Sequence, residues 1–188
     1  DTDGSQRFME GWHTNEPALK IFASQGLDKI FLFVTKADRE NFVYSLGIDS
    51  DINDTLHTDT HLELFKQTME RDYPGITEKF VEVNYDEEED VSSLAKVLNM
   101  SGEIKDYVEQ ELAAGNQISL SVDMTGGLRN ANMLLLVLTG LLEYAGINLK
   151  QILYTYYDSV KQIGKVMTET DVHNLSKLVA GADAFIKY

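Results

Sequence analysis

The chain has 188 residues, 43% hydrophobic and 25% charged, with a formal net charge of −15. That length suits one domain with a substantial core, and the acidity argues against a long nucleic acid partner, which needs a basic face. The absence of cysteine excludes disulfides and thiolate metal sites and favours a cytoplasmic setting.

Residues 1–14 lack periodicity and read as a loop. Asn15 then stands as an N-cap, with Glu16 and Pro17 in the first turn of a helix that runs through Ser24 and stops near Gly26. Ile30 to Val34 is a continuous apolar run, the pattern of a strand buried on both faces. Residues 36–58 are polar and predict a loop with a short helix around Glu40–Ser45. A helix follows over His61–Asp72, ended by Pro74-Gly75. Phe80–Val83 reads as the next strand, the acidic run Asp86–Asp90 as its exit, and Val91–Leu98 and Ile104–Ala113 as helices. Ile118–Val122 is a third strand and Leu128–Ala145 the strongest helix. Ile152–Tyr157 is a fourth strand, Ile163–Met167 its hairpin return, and Val172–Ile186 a closing helix. Strands alternating with helices predict a single α/β domain over residues 1–188, a mainly parallel sheet with helices on both faces and an antiparallel edge hairpin at its carboxy-terminal end. The longest apolar stretch, Met133 to Leu142, is too short to cross a bilayer and is broken by Thr139 and Gly140, so no membrane segment is expected.

In such folds, ligands bind at the carboxyl ends of the strands. The segment there with the most chemistry is Asp123-Met124-Thr125-Gly126-Gly127-Leu128-Arg129-Asn130. A strand ends near Asp123. Two glycines let backbone approach a ligand closely, and a helix starts at once, aiming free N–H groups into the turn. Thr125 adds a hydroxyl and Arg129 a guanidinium suited to phosphate. The combination predicts an anion site. Its spacing matches neither a P-loop nor the dinucleotide glycine fingerprint, and the bland alternative is a plain strand-to-helix turn.

The run from Asp123 to Arg129 resembles the Asp-x-Thr-[His/Gly]-Gly-[Phe/Leu]-Arg signature of CARF domains, the CRISPR-associated Rossmann fold, in the branch found in ancillary proteins of type III CRISPR systems. His13–Leu19 with Lys29–Thr35, and Tyr154–Tyr157 with the following hairpin and Leu175–Tyr188, resemble other parts of that family. The resemblance implies a Rossmann-like homodimer in which two facing turns share one cyclic oligoadenylate, most often the four-membered ring, and control an attached or associated effector in antiviral defence. It places Asp123, Met124, Thr125, Gly126, Gly127, Leu128, Arg129 and Asn130 at the ligand, with Thr35 and Lys36 on the same rim and Asn15 and Glu16 reaching in from a helix start. No cofactor and no metal are implied. The family also opens with a strand and a small-residue loop that complete the pocket; that strand is absent here and is expected upstream of Asp1. No effector domain is legible.

Three functional readings follow. The first is a sensor that binds the ring. The second is a metal-independent ring nuclease, in which a ribose 2′-hydroxyl attacks the adjacent phosphate while Thr125, Arg129 and Lys36 orient and stabilise; no general base is evident. The third is another nucleotide-binding Rossmann-like protein. Elsewhere, His57 and His61 stand at metal-ligand spacing in a polar stretch better read as a solvated helix start, and Asp86–Asp90 reads as a solvated face at a helix N-terminus. Tyr154, Tyr156 and Tyr157 read as core or dimer packing, or as stacking partners for adenine. Trp12 reads as a loop anchor or a cover over the ligand. Met133, Leu134, Val137 and Leu141 read as core or dimer interface.

Overall fold

The computed structural model describes residues 13–40, 59–85, 99, 101–125, 129–158 and 163–187, with the backbone alone for 129–131, 179–181 and 183–187. Trp12, His57, residues 41–45 of the expected short helix, the acidic run 86–90, the expected helix 91–98 and Gly126, Gly127 and Leu128 lie outside the described residues.

The elements in order are α1 (Glu16–Ser24), β1 (Ile30–Val34), α2 (Lys36–Glu40), α3 (His61–Asp72), a 3-10 turn (Ile76–Lys79), β2 (Phe80–Asn84), α4 (Gly102–Ala113), β3 (Ser119–Asp123), α5 (Arg129–Tyr144), β4 (Asn148–Asp158), β5 (Ile163–Thr168) and α6 (Thr170–Lys187). Local signals set several of these element ends. Pro17 sits in the first turn of α1, where its missing N–H costs nothing. Thr60 and Glu63 close a reciprocal capping box on α3. Gly75 holds φ +85°, which lets the chain leave α3 and turn into the 3-10 segment. α2 falls where the sequence predicts loop, because Thr35 caps it: its N–H and hydroxyl both donate to Asp38, and its Oγ1 accepts from the Asp38 N–H. And β4 begins at Asn148, four residues before the expected start at Ile152, because Leu149 pairs with Leu120 of β3.

The architecture is α/β. Among the described residues the strands pair as two sheets, where one is expected. β1 and β2 make a parallel pair in register Ile30↔Phe80 to Val34↔Asn84. β3, β4 and β5 make a second, mixed sheet, with β3 parallel to β4 and β5 antiparallel. Helices bridge the two. On one face, α1 packs Leu19 against Ile30 of β1 and Met69 of α3, and packs Ala18 and Phe22 against Leu153 of β4. On the other face, Ile104 and Val108 of α4 and Leu142 of α5 gather Phe31 and Phe33 of β1 with Leu120 of β3. Leu134 and Leu138 of α5 close over Val83 and Tyr85 beside β2. Each cluster buries several large apolar side chains, each worth roughly 1.5–3 kcal/mol.

Ion pairs fix the outer helices. Lys66 of α3 and Arg39 of α2 both reach Glu82 on β2. Glu143 of α5 takes His173 at 2.6 Å and Lys177 at 2.7 Å from α6, so the last two long helices lie side by side. Among the described residues, no helix is long and apolar enough to cross a membrane.

Candidate functional site

The carboxyl end of β3 carries a buried polar clasp. Asp123 Oδ1 accepts from the Thr125 N–H and Asp123 Oδ2 accepts from Asn15 Nδ2, both at 2.9 Å. The same Asn15 nitrogen donates to the Thr125 carbonyl. Thr125 Oγ1 accepts from the Thr155 N–H of β4 at 2.7 Å, and the Met124 N–H donates to the Leu153 carbonyl at 2.9 Å. Met124 and Thr125 are buried. Their backbone is therefore held from three directions, by α1, by β4 and by the Asp123 carboxylate, just before the chain enters 126–128.

Asn15 occupies the N-cap position of α1 but makes no side-chain cap bond there. Its amide is spent on Asp123 and Thr125 instead. The first-turn role falls to Glu16, whose Oε1 accepts from the His13 N–H at 2.9 Å. Glu16 is fully buried and lies 3.5 Å from Lys20, which reaches Asp72 of α3 at 2.7 Å. That network ties α1 to α3.

Asp123 is the most perturbed carboxylate here. Burial pushes its pKa up to about 6, against the opposing pull of the hydrogen bonds from Thr125 and Asn15. Perturbed acids of this kind gather at functional sites. In the clasp, both Asp123 oxygens are already engaged, so this carboxylate shapes the turn from behind.

Beside the clasp lies a cavity of about 1010 Å³ between β1 and β3. Asn15, Thr35, Asp123 and Thr125 all line it; Glu16, Lys36 and Met124 do not. Lys36 is well exposed and paired with Glu40 at 3.8 Å. Of the expected ligand residues, four therefore converge on one cavity. Arg129 and Asn130 open α5, with their side chains outside the description, as are Gly126, Gly127 and Leu128.

No protein-family model matches the chain, and no curated protein or solved structure matches it.

Thr155 is the residue that sequence reasoning missed. It is buried beside Thr125, and its own hydroxyl has no hydrogen-bond partner among the described residues. The available signal was a threonine between two tyrosines in a strand end otherwise rich in apolar residues. Tyr156 and Tyr157 are each about half exposed, at 53% and 50%, so neither is core in a single chain. His61 meets His13 edge-on, with ring centroids 6.1 Å apart. Among the described residues no cluster of three metal-ligating side chains occurs.

Proposed function

We propose that this chain is a Rossmann-like sensor domain that binds a cyclic oligoadenylate, the four-membered ring foremost, across a homodimer and passes the binding event to an associated effector. The observation that carries the reading is the clasp. A turn rich in glycine must be anchored if its N–H groups are to meet phosphate in a fixed geometry, and Asn15, Asp123 and Thr155 anchor the residue immediately ahead of it. The 16-residue helix α5 opens just beyond, with Arg129 as its first residue, so the helix N-terminus and a guanidinium would both favour an anion.

The dimer reading has its own support. On α5, Met133, Leu136, Val137, Leu141 and Tyr144 are exposed and recur at helical spacing. On the adjoining α6, Val172, Leu175 and Leu178 are exposed in the same way. Together they form an apolar face of the kind that marks a protein interface. A second copy related by a two-fold axis would cover it with the same face and bring two α5 N-termini to one ligand.

The test is calorimetric titration of the dimer with cyclic tetra-adenylate, with ring integrity followed by chromatography in the absence of metal. We expect one ring per dimer. Arg129→Ala should weaken binding by about 10- to 100-fold, the range of a lost charge-assisted hydrogen bond of roughly 1.5–3 kcal/mol. Absence of binding by a dimeric chain would reject the reading, and ring opening to a cyclic-phosphate product would replace the sensor with a ring nuclease.

A further inference from the structure

β5 ends its sheet. In a strand, successive residues turn their backbone N–H and C=O to opposite edges. The Ile152 carbonyl accepts from the Glu169 N–H, whereas the Leu153 carbonyl accepts from Met124 on the β3 side. Tyr154, Tyr156 and Asp158 therefore turn their backbones to β5, where they meet Met167, Lys165 and Ile163. Gly164, Val166 and Thr168 turn theirs the other way. Among the described residues no strand pairs with them. Their N–H and C=O groups line an open edge, along a strand that is half-buried or exposed throughout.

Proteins ordinarily blunt such an edge with a bulge, a proline or a charge. β5 has no proline, and its register with β4 runs unbroken through six pairs. Its one charge is Lys165, opposite the half-exposed Tyr156. A lone lysine on an edge repels a second copy unless an acid meets it there. Glu169 is such an acid. Its N–H still bonds to Ile152, so it keeps the strand's spacing and shares a face with Lys165 and Met167. Neither Lys165 nor Glu169 has an ion pair among the described residues.

We propose that the β5 edge is a pairing surface for a second copy of this chain, met antiparallel about a two-fold axis through Val166. In that register Val166 meets the partner's Val166, and Gly164 meets the partner's Thr168. Every outward N–H then finds a C=O. Lys165 falls diagonal to the partner's Glu169, within reach of a long side chain, and the axis repeats the pair. The neighbouring registers are worse. An axis through Lys165 sets two lysines face to face, which is destabilising. One through Met167 leaves Gly164 opposite the partner's Thr170, the first residue of a helix. The edge uses backbone, not the apolar side chains of α5 and α6, so one copy can hold a partner at each surface, and two different two-fold contacts extend a dimer into a chain. Six residues of edge bury too little for tight pairing, so the contact grows with concentration. The inference goes beyond ring binding and does not depend on it.

The test is residue-resolved amide exchange on the full chain, without ligand, from micromolar to millimolar concentration. The amides of Lys165 and Met167 face β4 and are protected throughout, which verifies the fold of the chain and of each variant. Those of Gly164, Val166 and Thr168 should slow by about tenfold or more as concentration rises. Lys165→Glu should abolish the slowing, and Lys165→Glu combined with Glu169→Lys should restore it. Fast exchange of the three amides at every concentration overturns the pairing. Slow exchange at every concentration means that the edge is covered within one chain, and overturns it too. Slowing that survives Lys165→Glu, or that the double reversal fails to restore, overturns the Val166 register. No ring enters this experiment, so its failure is separable from failure of ring binding.

Discussion

Burial sets the protonation balance of Asp123. Its pKa is raised to about 6 by burial, whereas an unfolded aspartate titrates near ~3.9. Below the unfolded value both states are protonated and the contribution of this group to stability is fully present. Between roughly pH 4 and 6 the unfolded chain loses the proton first, so stability falls as pH rises, by about 3 kcal/mol in total. Urea titrations across that range should show the decline in the native chain and its absence in Asp123→Asn. Asn15→Ala removes the amide that serves both Asp123 and Thr125 and should cost about 1–3 kcal/mol, read as a lower urea midpoint with an unchanged slope. An unchanged midpoint would remove Asn15 from the clasp. The sequence made Asn15 legible as a helix start, since Asn-Glu-Pro is a local signal. Its partner is 108 residues away, and no local rule reports such a pairing. Thr155 was hidden for the same reason: its role exists only once β4 lies beside β3.

At the level of elements, α5 carries two jobs on one sequence. Leu134 and Leu138 are buried against β2, while Met133, Val137 and Leu141 on the same helix are exposed. The sequence singled out Met133, Leu134, Val137 and Leu141 as core or dimer interface but could not divide core from the proposed interface, because both present the same hydrophobic spacing. The two faces separate by mutation. Leu134→Ala should cost about 2–5 kcal/mol of stability. Val137→Glu should change the stability of the monomer by less than about 0.5 kcal/mol yet halve the particle mass in light scattering. A dimer that survives Val137→Glu together with Met133→Glu would place the interface elsewhere. The strands show the complementary limit. Ile30–Val34 and Phe80–Val83 were legible from their apolar, β-branched content, but the split into two sheets was not. Which strand pairs with which is decided by helices that reach across, such as α1 holding both Ile30 and Leu153.

For the whole molecule, charge and assembly set the predictions. A net charge of −15 repels long polyanions at any distance within the Debye length, so filter binding with long RNA should show no retention even at low salt. A small ring is not subject to the same veto, because fixed N–H dipoles and one guanidinium can dominate over a few ångströms. The clasp also ties the site to the fold as a whole. Its halves lie 108 residues apart in the chain, so any partial opening that frees α1 from β3 dismantles the turn with it. A ligand that binds only the intact arrangement must then protect the entire protein by mass action, by about 2.7 kcal/mol at one hundred times its dissociation constant. Survival under a protease, counted in surviving full-length chain, becomes a readout of ligand concentration, and the domain's lifetime in a cell would lengthen for as long as its signal persists.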